Sequence, residues 1–428
     1  MMNALCLNAK VNLATLLPVP IARRLLQWPV RGDAITDEAA GKKQLLIDVS
    51  VIINNDARTG IQRVVRALLL QLLRQPPDGW QVRPIFATRK HGYRYAPAQF
   101  GLPDADIPSL TATDVVTVGT GDLYLGLDLA AHLLHLHGTE LAQWKRNGAE
   151  IHFVVYDLLP VLHPQWFKPK TTRNFRRWLR TIAIFADSII CISNTVKAEL
   201  AHWLQHRYAL PGTTIPIHTI PLGADIQASA PSSGLPDNID QLLREFGSKP
   251  TVLMVGTLEP RKGHSQVLAA FEALWQQGRD INLVIVGKPG WKTEPLQRSL
   301  LSHPQNRIRL HWLDSASDEL LELLYTCCTG VVVASRAEGF GLPLIEAVFR
   351  HKPVLARDIP VFREIGGSRV TFFSGGTVAS FASDIDAWLA QISSLQPRVG
   401  RSPNALTWHE SAEQLLVQMK LPALSILL

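Results

Sequence analysis

From residue 44 onward, the chain alternates short apolar runs with amphipathic stretches. The first run, QLLIDVS (44–50), has the continuous apolar character of a buried parallel strand, and the following TGIQRVVRALLLQLLRQ has apolar residues at helical spacing. The pattern recurs as far as PLGAD (221–225) and restarts with PTVLMVGTL (250–258). Because strand–helix alternation folds into doubly wound parallel sheets, the predicted fold class is α/β, with two Rossmann-like domains facing each other across a cleft.

The segment IQASAPSSGLPDNID (226–240) is polar and contains Pro, Gly and Ser, so we expect a linker to begin there. A length of 428 residues suits two domains of ordinary size. The predicted organisation has five parts: an N-terminal extension (1–43), an N-terminal domain on the acceptor side (44–225), a linker (226–245), a C-terminal domain on the donor side (246–400) and a C-terminal segment (401–428).

Excess positive charge is confined to the first half of the chain. Residues 1–230 contain 24 Lys and Arg against 17 Asp and Glu, whereas residues 231–428 contain 19 of each kind. The whole net charge of +7 therefore belongs to the first half. This asymmetry indicates that the two halves face different partners.

The cysteines and the apolar runs favour a cytoplasmic location. The four cysteines are too few and too scattered for a disulfide framework, and we expect buried thiols in a reducing compartment. No apolar run reaches the roughly 20 residues of a membrane-spanning helix. The apolar stretch VNLATLLPVPIARRLLQWPV (11–30) lacks a strongly positive leader, so we expect it to pack on the body or to touch a membrane surface.

Two glutamates flank a Gly-Phe-Gly turn in the second half. GVVVAS (330–335) predicts a strand and GLPLIEAVFR (341–350) a helix, which leaves a loop between them. The glycines let a ligand approach the backbone, and the helix start favours an anion. Glu338 in the loop and Glu346 in the helix could face one small volume, where paired carboxylates suit vicinal hydroxyls. The alternative is a solvated Glu338 and a Glu346 that only complements the helix dipole.

A basic pair follows the first strand of the second half. In VGTLEPRKGHSQVLAAF (255–271), Arg261 and Lys262 lie in the loop before a predicted helix. Adjacent Arg and Lys can bind a diphosphate: the Arg guanidinium through bidentate hydrogen bonds and the Lys ammonium as a point charge. Taken alone, they could equally be solvated. Together with Glu338 and Glu346 on the same sheet edge, they predict a nucleotide-sugar site.

These motifs resemble those of the retaining glycosyltransferases of family 4, which have the GT-B fold. That family's E-x7-E signature is matched by Glu338 and Glu346, and its Arg-Lys-Gly loop by residues 261–263. TWHESAEQLL (407–416) is similar to the family's last helix, which crosses back to the first domain. The resemblance covers about residues 44–420.

The first half contributes two further matches to that family. Thr59 and Gly60 open a predicted helix whose N–H groups could meet the distal phosphate, and Gly60 matches a glycine-rich turn of the family. VVYDLLPVLHPQWF (154–167) resembles the family's His-Asp-Leu-Ile-Pro strand end, with Tyr156 in place of the histidine. We therefore expect the site role to fall to Asp157, although a strand-end Asp is also a common helix cap.

The resemblance implies a hexosyltransferase similar to bacterial mannosyltransferases of cell-surface polysaccharide and O-antigen assembly. It implies a nucleotide-diphospho-sugar donor, expected to be GDP-mannose, with dTDP-rhamnose or a UDP-sugar as alternatives. It implies no metal and no other cofactor, and a lipid-linked oligosaccharide or glycan as acceptor. The residues that it assigns are Arg261, Lys262, Glu338 and Asp157 for catalysis, and Thr59, Gly60, Gly256, Gly339, Phe340, Gly341, Leu342 and Glu346 for donor binding.

WFKPKTTRNFRRWLR (166–180) combines six basic residues with four aromatic ones, and its arginines from 173 onward fall at helical spacing. Such a face suits peripheral contact with an anionic membrane surface, at the inner face of the plasma membrane, or a lipid diphosphate. A surface helix with a basic side and an aromatic core side is the equal alternative. No nucleic-acid partner is expected, since no nucleic-acid motif accompanies the charge.

No metal site is predicted. Asp104-Ala-Asp106 and Asp384-Ile-Asp386 have the Asp-x-Asp form that metal-dependent transferases use. The first lies in a Pro-flanked loop and the second near a predicted helix start, so chance and helix capping explain them.

Other functions stay open at this point. Nucleotide-sugar epimerases with the GT-B fold lack the basic loop paired with E-x7-E and need no separate acceptor. A catalytically silent nucleotide- or glycan-binding subunit is supported only by Tyr156. A nicotinamide oxidoreductase is disfavoured because the dinucleotide fingerprint is missing.

Overall fold

The computed structural model of the chain describes residues 2–27, 42–97, 100, 114–393 and 405–424. The chain divides into two compact units, one formed by Met1–Pro221 with Trp408–Leu428 and the other by Leu222–Thr407. The last helix therefore belongs to the first unit, although it follows the second unit in sequence.

The first unit contains a seven-stranded sheet with helices around it. Its strands are β1 (Lys43–Asp48), β2 (Trp80–Phe86), β3 (Arg94–Tyr95), β4 (Leu123–Gly126), β5 (Glu150–Val155), β6 (Ser188–Cys191) and β7 (Ile217–Thr219). Its helices are α1 (Met2–Leu16), α2 (Val19–Leu26), α3 (Gly60–Arg74), α4 (Gly138–Arg146), α5 (Leu159–Leu162), α6 (Pro169–Phe185), α7 (Asn194–Tyr208) and α15 (Trp408–Gln418). Short 3-10 helices lie at Leu134–Leu136 and Pro164–Trp166.

The second unit contains a six-stranded sheet. Its strands are β8 (Thr251–Val255), β9 (Asn282–Val286), β10 (Leu310–Leu313), β11 (Gly330–Val333), β12 (Val354–Arg357) and β13 (Val370–Phe373). Its helices are α8 (Ile239–Ser248), α9 (His264–Gln276), α10 (Glu294–Ser302), α11 (Asp318–Cys327), α12 (Leu342–Phe349), α13 (Pro360–Gly366) and α14 (Val378–Ser393). Short 3-10 helices lie at Ile226–Ser229 and Gly367–Arg369.

Both sheets have the Rossmann strand order, which confirms the predicted α/β fold class. The order is β3-β2-β1-β4-β5-β6-β7 in the first sheet and β10-β9-β8-β11-β12-β13 in the second. All pairings are parallel except that of β2 with β3, a two-residue edge strand that the apolar pattern did not predict. The order reverses between β1 and β4 in one sheet and between β8 and β11 in the other. Such switch points are where open α/β sheets bind ligands.

The N-terminal helices pack on the first unit. Residues of α1 and α2 such as Leu7, Val11 and Ala22 are buried in the same core as the sheet. The guanidinium of Arg23 donates to the carbonyl oxygen of Ala183 at 2.8 Å, which ties α2 to α6. The apolar N-terminal stretch was expected either to pack on the body or to touch a membrane surface. Its described part, residues 11–27, packs on the body.

The stretch predicted as a linker, 226–245, lies inside the second unit. It includes a 3-10 helix and the first two turns of α8, and the hydroxyl of Ser232 donates to Asp318 at 2.9 Å. Its polar residues lie at the surface of that unit. The backbone N–H groups of Ser232 and Gly234 donate to Asp318 and Glu319, which fixes the segment there.

All four cysteines are free. Cys191 and Cys328 are buried, as expected, whereas Cys327 is half-buried and Cys6 is exposed on α1. Cys6 therefore corrects the expectation of buried thiols, since it lies on the outer side of a helix that buries its other face. Over the described ranges, no helix combines the length and the apolarity needed to span a bilayer.

Candidate active site

The switch point of the second sheet brings two distant loops together. The loop after β8 carries Arg261 and Lys262, and the loop after the neighbouring β11 carries Glu338. The backbone N–H of Arg336 donates to the carbonyl oxygen of Arg261 at 2.8 Å, so the loops are joined by their main chains. Parallel pairing of β8 with β11 thus converts a separation of about 76 residues into direct contact.

Both basic residues bind one carboxylate. Nη1 of Arg261 donates to Oε2 of Glu338 at 2.6 Å, and Nζ of Lys262 donates to Oε1 at 2.5 Å. The three side chains are only 9–14% exposed, so water screens these charge-assisted bonds weakly. The alternatives of solvated basic residues and a solvated Glu338 are therefore wrong.

The ionisation of Glu338 follows from these neighbours. Burial alone raises the pKa of the carboxyl, but the positive charges of Arg261 and Lys262 outweigh it and lower the pKa from 4.5 to about 2. A hydrogen bond from Ser335 acts in the same direction. Glu338 is therefore a carboxylate at every pH at which the protein would work.

A fourth charged side chain, Glu259, completes the cluster and was not predicted. Its Oε2 lies 2.8 Å from Nε of Arg261, and its side chain is 10% exposed. Arg261 is thus held between Glu259 and Glu338. The only sequence signal is an acidic residue two positions before the arginine, which has no distinctive spacing. The cluster carries two positive and two negative charges and fixes the position of both cations.

Gly263 permits the close approach of the two loops. It precedes α9 with φ +83°, and a Cβ at this position would lie 2.5 Å from the carbonyl oxygen of Ala334. No other residue type fits this position without moving the backbone that carries Lys262. The side chain of His264, the next residue, is buried; burial and the charge of Lys262 lower its pKa to about 3, so it is neutral at pH 7.

Glu346 lies on α12 and faces different partners from Glu338. It is 2% exposed, and its Oε2 accepts a hydrogen bond from the Tyr325 hydroxyl at 2.9 Å. Because Glu346 is buried and hydrogen-bonded, it is not a solvated charge that merely complements the helix dipole. A buried carboxylate retains acceptor capacity beyond one such bond.

The remaining donor-site residues lie at the same sheet edge. Gly256 directly follows β8, and Gly339, Phe340 and Gly341 form the loop that leads into α12, with Leu342 as its first residue. Phe340 is 4% exposed, and Gly341 has φ +116°, with the Phe362 ring 2.7 Å from where a Cβ would stand. Their assignment to the donor stays a prediction.

In the first unit, Thr59 caps α3 and Gly60 is its first residue. Thr59 and Gln62 form a reciprocal capping box, in which the backbone N–H of Gln62 donates to the Thr59 hydroxyl at 3.3 Å. The helix start follows the loop after β1, at the switch point of the first sheet. Arg66, nearly two turns into α3, pairs with Asp56.

Asp157 follows β5 and lies next to the start of α5. Its Oδ1 accepts from the backbone N–H of Leu159 at 3.0 Å. Because Asp157 lies one residue before Leu158, the N-cap of α5, it bonds to the helix start without holding the N-cap position considered from the sequence. Tyr156 is buried, and its hydroxyl donates to the carbonyl oxygen of Leu127 at 2.6 Å. A core residue therefore occupies the position where family 4 enzymes carry a histidine.

Comparison with known proteins identifies the second unit. Residues 237–399 match the family described as glycosyl transferases group 1. This region is a group 1 glycosyltransferase domain. The match covers Arg261, Lys262, Glu338 and Glu346, so all four belong to the glycosyltransferase domain.

The chain is also homologous to bacterial mannosyltransferases. It is 41% identical over 391 residues to the serotype-specific mannosyltransferase WbdA of Escherichia coli, which covers 89% of this chain and 47% of WbdA. It is 31% identical over 243 residues to the O-antigen chain mannosyltransferase RfbU of Salmonella typhimurium, covering 56% of this chain and 60% of RfbU. The chain thus spans about half the length of WbdA.

Solved structures confirm the GT-B fold. The Anabaena protein HepE, solved in complex with UDP and glucose, superposes with a TM-score of 0.57 at 16% identity, over 89% of this chain and 99% of HepE. Sucrose-phosphate synthase from Thermosynechococcus elongatus gives 0.60 at 17% identity, over 89% and 98%. At these identities the likeness concerns the fold.

Outside the glycosyltransferase domain, a buried polar network missed by sequence analysis organises the first switch point. Asp48, at the end of β1, accepts hydrogen bonds from the hydroxyls of Tyr93 at 2.9 Å and Tyr124 at 2.8 Å. Asp128, after β4, accepts from the backbone N–H groups of Val51 and Ile52 at 2.8 and 2.7 Å. Burial, with the charge of Asp48, raises the pKa of Asp128 to about 7.

A second carboxyl lies near Asp157. Burial, together with the negative charge of Asp157, raises the pKa of Glu199 on α7 to about 7. The pair lies near the carboxyl ends of β5 and β6. The sequence showed Glu199 only as one acidic residue of an amphipathic helix.

The Asp-x-Asp pairs differ from expectation or fall outside the structure. In the glycosyltransferase domain, Asp384 and Asp386 lie inside α14, which begins at Val378, and not at a helix start. Asp386 pairs with Arg279 at 2.5 Å, so it serves as a surface ion pair. Asp104 and Asp106 lie outside the described residues.

The basic–aromatic segment has two separate sides. Phe175 and Trp178 are each 2% exposed and belong to the core of the first unit, whereas Arg173, Arg176 and Arg177 are exposed. These two aromatic rings therefore support the fold and do not reach a membrane. The basic side, however, is available to a partner.

Proposed function

We propose that the protein transfers mannose from GDP-mannose to a lipid-linked or glycan acceptor, with retention of anomeric configuration, in the assembly of a bacterial cell-surface polysaccharide such as O-antigen. The observation that carries the proposal is the pair of Arg261 and Lys262 at the switch point of the glycosyltransferase domain. A departing diphosphate requires cations at such a position. The similarity to WbdA and RfbU, both named as mannosyltransferases, supports mannose as the sugar.

Donor binding would rearrange the charge cluster. A diphosphate carries more negative charge than a carboxylate, so it would compete with Glu338 for Arg261 and Lys262. Glu338 would then be free to accept hydrogen bonds from sugar hydroxyls, and Glu346 from those of the ribose. Exchange of one anion for another keeps the cations compensated in both states.

In the chemical step, the bond between the sugar C1 and the diphosphate oxygen would break while the acceptor oxygen bonds to C1 on the same face, and the acceptor's hydroxyl proton would pass to the departing phosphate oxygen. Negative charge then grows on the leaving phosphate. Arg261, Lys262 and the N-terminus of α12 would stabilise that charge, each preorganised donor being worth about 10²–10³ in rate. We propose that these cations supply the stabilisation and that no metal is required.

The acceptor is assigned to the first unit, which carries the excess positive charge of the chain. We propose that the reaction takes place in the cytoplasm, with peripheral contact at the inner face of the plasma membrane through the basic side of 166–180. The exposed arginines of α6 support this contact. Thr59, Gly60 and Asp157, at the first sheet's carboxyl edge, are proposed to line the acceptor side of the reaction.

The first experiment is a thermal-shift titration of the purified protein with GDP, UDP, dTDP and ADP and with their mannose, glucose and rhamnose conjugates. A ligand at 100 times its Kd should stabilise the fold by roughly 2.7 kcal/mol. We expect the largest shift with GDP and GDP-mannose. Proton NMR of the glycoside formed on a lipid-linked acceptor should then show the anomeric configuration of the donor.

Other outcomes would replace the proposal. A shift only with dTDP-rhamnose or a UDP-sugar would change the donor and keep the reaction. Conversion of the nucleotide sugar without an acceptor would indicate an epimerase. The absence of a shift with every nucleotide, in a folded sample, would indicate a silent subunit.

A further inference from the structure

The first unit contains a basic groove between α6 and α7. Its volume is about 550 Å³, and its walls include five arginines: Arg173, Arg176, Arg177 and Arg180 from α6 and Arg207 from the end of α7. It lies outside the glycosyltransferase domain and shares no residue with the cluster around Glu338. No role in the proposed donor chemistry accounts for it.

The sequence builds the groove by helical spacing. Positions 173, 176, 177 and 180 fall on one face of α6, while Phe175 and Trp178 fix the other face in the core. The packing of this face therefore holds the four arginines together on the other side of the helix. The hydroxyl of Tyr208 donates to the carbonyl oxygen of Arg176 at 3.3 Å and holds the end of α7 against this wall.

The groove concentrates positive charge. Throughout the described ranges, none of the five guanidinium groups is paired with a carboxylate. The same positive field reaches the neighbouring 3-10 helix, where burial and then the charge of Arg177 lower the pKa of His135. Like charges gathered in one concave surface repel each other, which an anion in the groove would relieve.

Two further features indicate a built site. Thr172 lines the groove and is 7% exposed, yet its hydroxyl has no hydrogen-bond partner among the described residues. Arg180 is held from behind, since its guanidinium donates to the carbonyl oxygens of Ala14, at 3.2 Å, and Leu17. The groove wall thus contains a buried hydroxyl without a partner among the described residues and an arginine whose position is fixed from behind.

We infer that this groove binds phosphate groups, as a second anion site distinct from the donor site. Guanidinium groups match phosphate oxygens in pairs, and five of them suit a diphosphate or an anionic lipid headgroup. Four arginines within two turns of one helix form a compact site, not the long track that a nucleic-acid backbone needs. Phosphate binding stands on the groove itself; its use to hold a lipid-linked acceptor rests on the proposed function.

The test uses the full chain and two probes, inorganic pyrophosphate and phosphatidylcholine vesicles with or without phosphatidylglycerol. Because pyrophosphate should also enter the donor site, calorimetric titrations compare a groove variant, Arg173→Gln with Arg177→Gln, with the donor-site variant Lys262→Ala. A double variant at two exposed basic residues of the same unit, Arg74→Gln with Lys43→Gln, removes equal charge elsewhere. Arg207→Gln, on the other wall, serves if the groove variant is unstable.

We expect wild type to bind pyrophosphate at two sites. In the groove variant, the Kd of one site should rise by about tenfold or more, since each lost bond was charge-assisted. Lys262→Ala should keep the groove site, and the surface control should keep both. Loss of binding to phosphatidylglycerol vesicles in the groove variant, but not in Lys262→Ala or the surface control, would identify a lipid headgroup as the ligand. Unchanged vesicle binding with lost pyrophosphate binding would identify a free or acceptor-linked diphosphate.

The inference is overturned if the groove variants bind pyrophosphate as wild type does, or if wild type binds it only at the site that Lys262→Ala removes. Failure of the proposed function looks different. In that case nucleotide sugars would give no thermal shift, while pyrophosphate binding would still depend on the groove arginines.

Discussion

The ammonium group of Lys262 donates to Oε1 of Glu338 at 2.5 Å, while Arg261 occupies the other oxygen of the same carboxylate at 2.6 Å. One acidic side chain thus bridges two cations that the sequence places next to each other. Because the three groups share partners, the effects of substituting them should not add. Each variant therefore needs a control chosen outside the cluster.

Lys262→Ala should slow mannosyl transfer by about 100-fold or more, because it removes one preorganised cation from the leaving phosphate. Its cost in folding free energy should be only about 1–3 kcal/mol, since Arg261 still compensates Glu338. Initial rates with GDP-mannose and urea unfolding measure the two effects. The matched control is Lys249→Ala, which removes an ion pair with Asp280 on the surface of the same unit. Wild-type turnover in Lys262→Ala would contradict the proposed stabilisation of the leaving phosphate by this cation.

Glu338→Gln should change how the free energy of unfolding depends on pH. The folded pKa is lowered from 4.5 to about 2, so the carboxylate's contribution is complete above the unfolded pKa and is lost as the pH falls toward 2. The shift corresponds to roughly 3 kcal/mol. Urea unfolding at about pH 6 and about pH 3 should show wild type losing more stability than the Gln variant, because only wild type has this group to protonate on unfolding. Parallel losses would show that the cations do not hold Glu338.

Asp128→Asn should give the opposite pH dependence. The folded pKa is raised from 3.8 to about 7, so its contribution is complete below the unfolded pKa and is lost as the pH rises through 7. The stability of wild type relative to the Asn variant should therefore fall between about pH 5 and about pH 8. Unfolding at both values measures it, and His264 and Glu199 titrate alike in the two proteins. A constant difference would mean that Asp128 keeps its charge at pH 5.

Glu346→Ala should weaken GDP binding by about tenfold or more, since a buried acceptor for the ligand is lost. Tyr325→Phe removes only the hydroxyl that donates to Glu346, so it should weaken binding less and leave the carboxylate in place. Isothermal titration calorimetry compares the two. Equal affinity of the Ala variant and wild type would place Glu346 outside the nucleotide site.

Gly263→Ala should destabilise the second unit more than Gly278→Ala. Both glycines have positive φ, +83° and +81°, so both pay the left-handed cost of about 1–2 kcal/mol for a Cβ. Only at Gly263 would the Cβ also meet a backbone oxygen, at 2.5 Å, whereas nothing lies within 4 Å of Gly278. Urea unfolding and transfer rates should separate the pair; equal stability would mean that the loops can move apart freely.

Much of this arrangement was predictable because it follows from periodicity and from local loop chemistry. The apolar runs predicted all six strands of the second sheet and five of the seven in the first, missing β3 and β4. The E-x7-E and Arg-Lys-Gly motifs located Glu338 and Lys262 at strand ends. Their direct contact was not predictable from spacing, because it depends on β8 and β11 being neighbours in the sheet. Glu259 lacked even a spacing signal.

Residues that act through burial were the hardest to predict. Asp48 accepts hydrogen bonds from the hydroxyls of Tyr93 and Tyr124, and the three residues come from separate parts of the chain. Tyr156 occupies a family histidine position but turns to the carbonyl oxygen of Leu127. The two-residue strand β3 is too short to show a period of two. For Asp48 and Tyr156 the decisive partner is far away in sequence, whereas β3 pairs with nearby β2 and was missed because of its length.

The two places where the chain passes between the units lie side by side. Ala224 donates its backbone N–H to the carbonyl oxygen of Leu406 at 2.9 Å, near the two ends of the second unit. Residues 222–407 thus begin and end at almost one point, as an inserted domain does. The segment should therefore be exchangeable as one unit. A chimera that carries the segment corresponding to 222–407 from another group 1 enzyme should fold, and it should have the donor specificity of that enzyme.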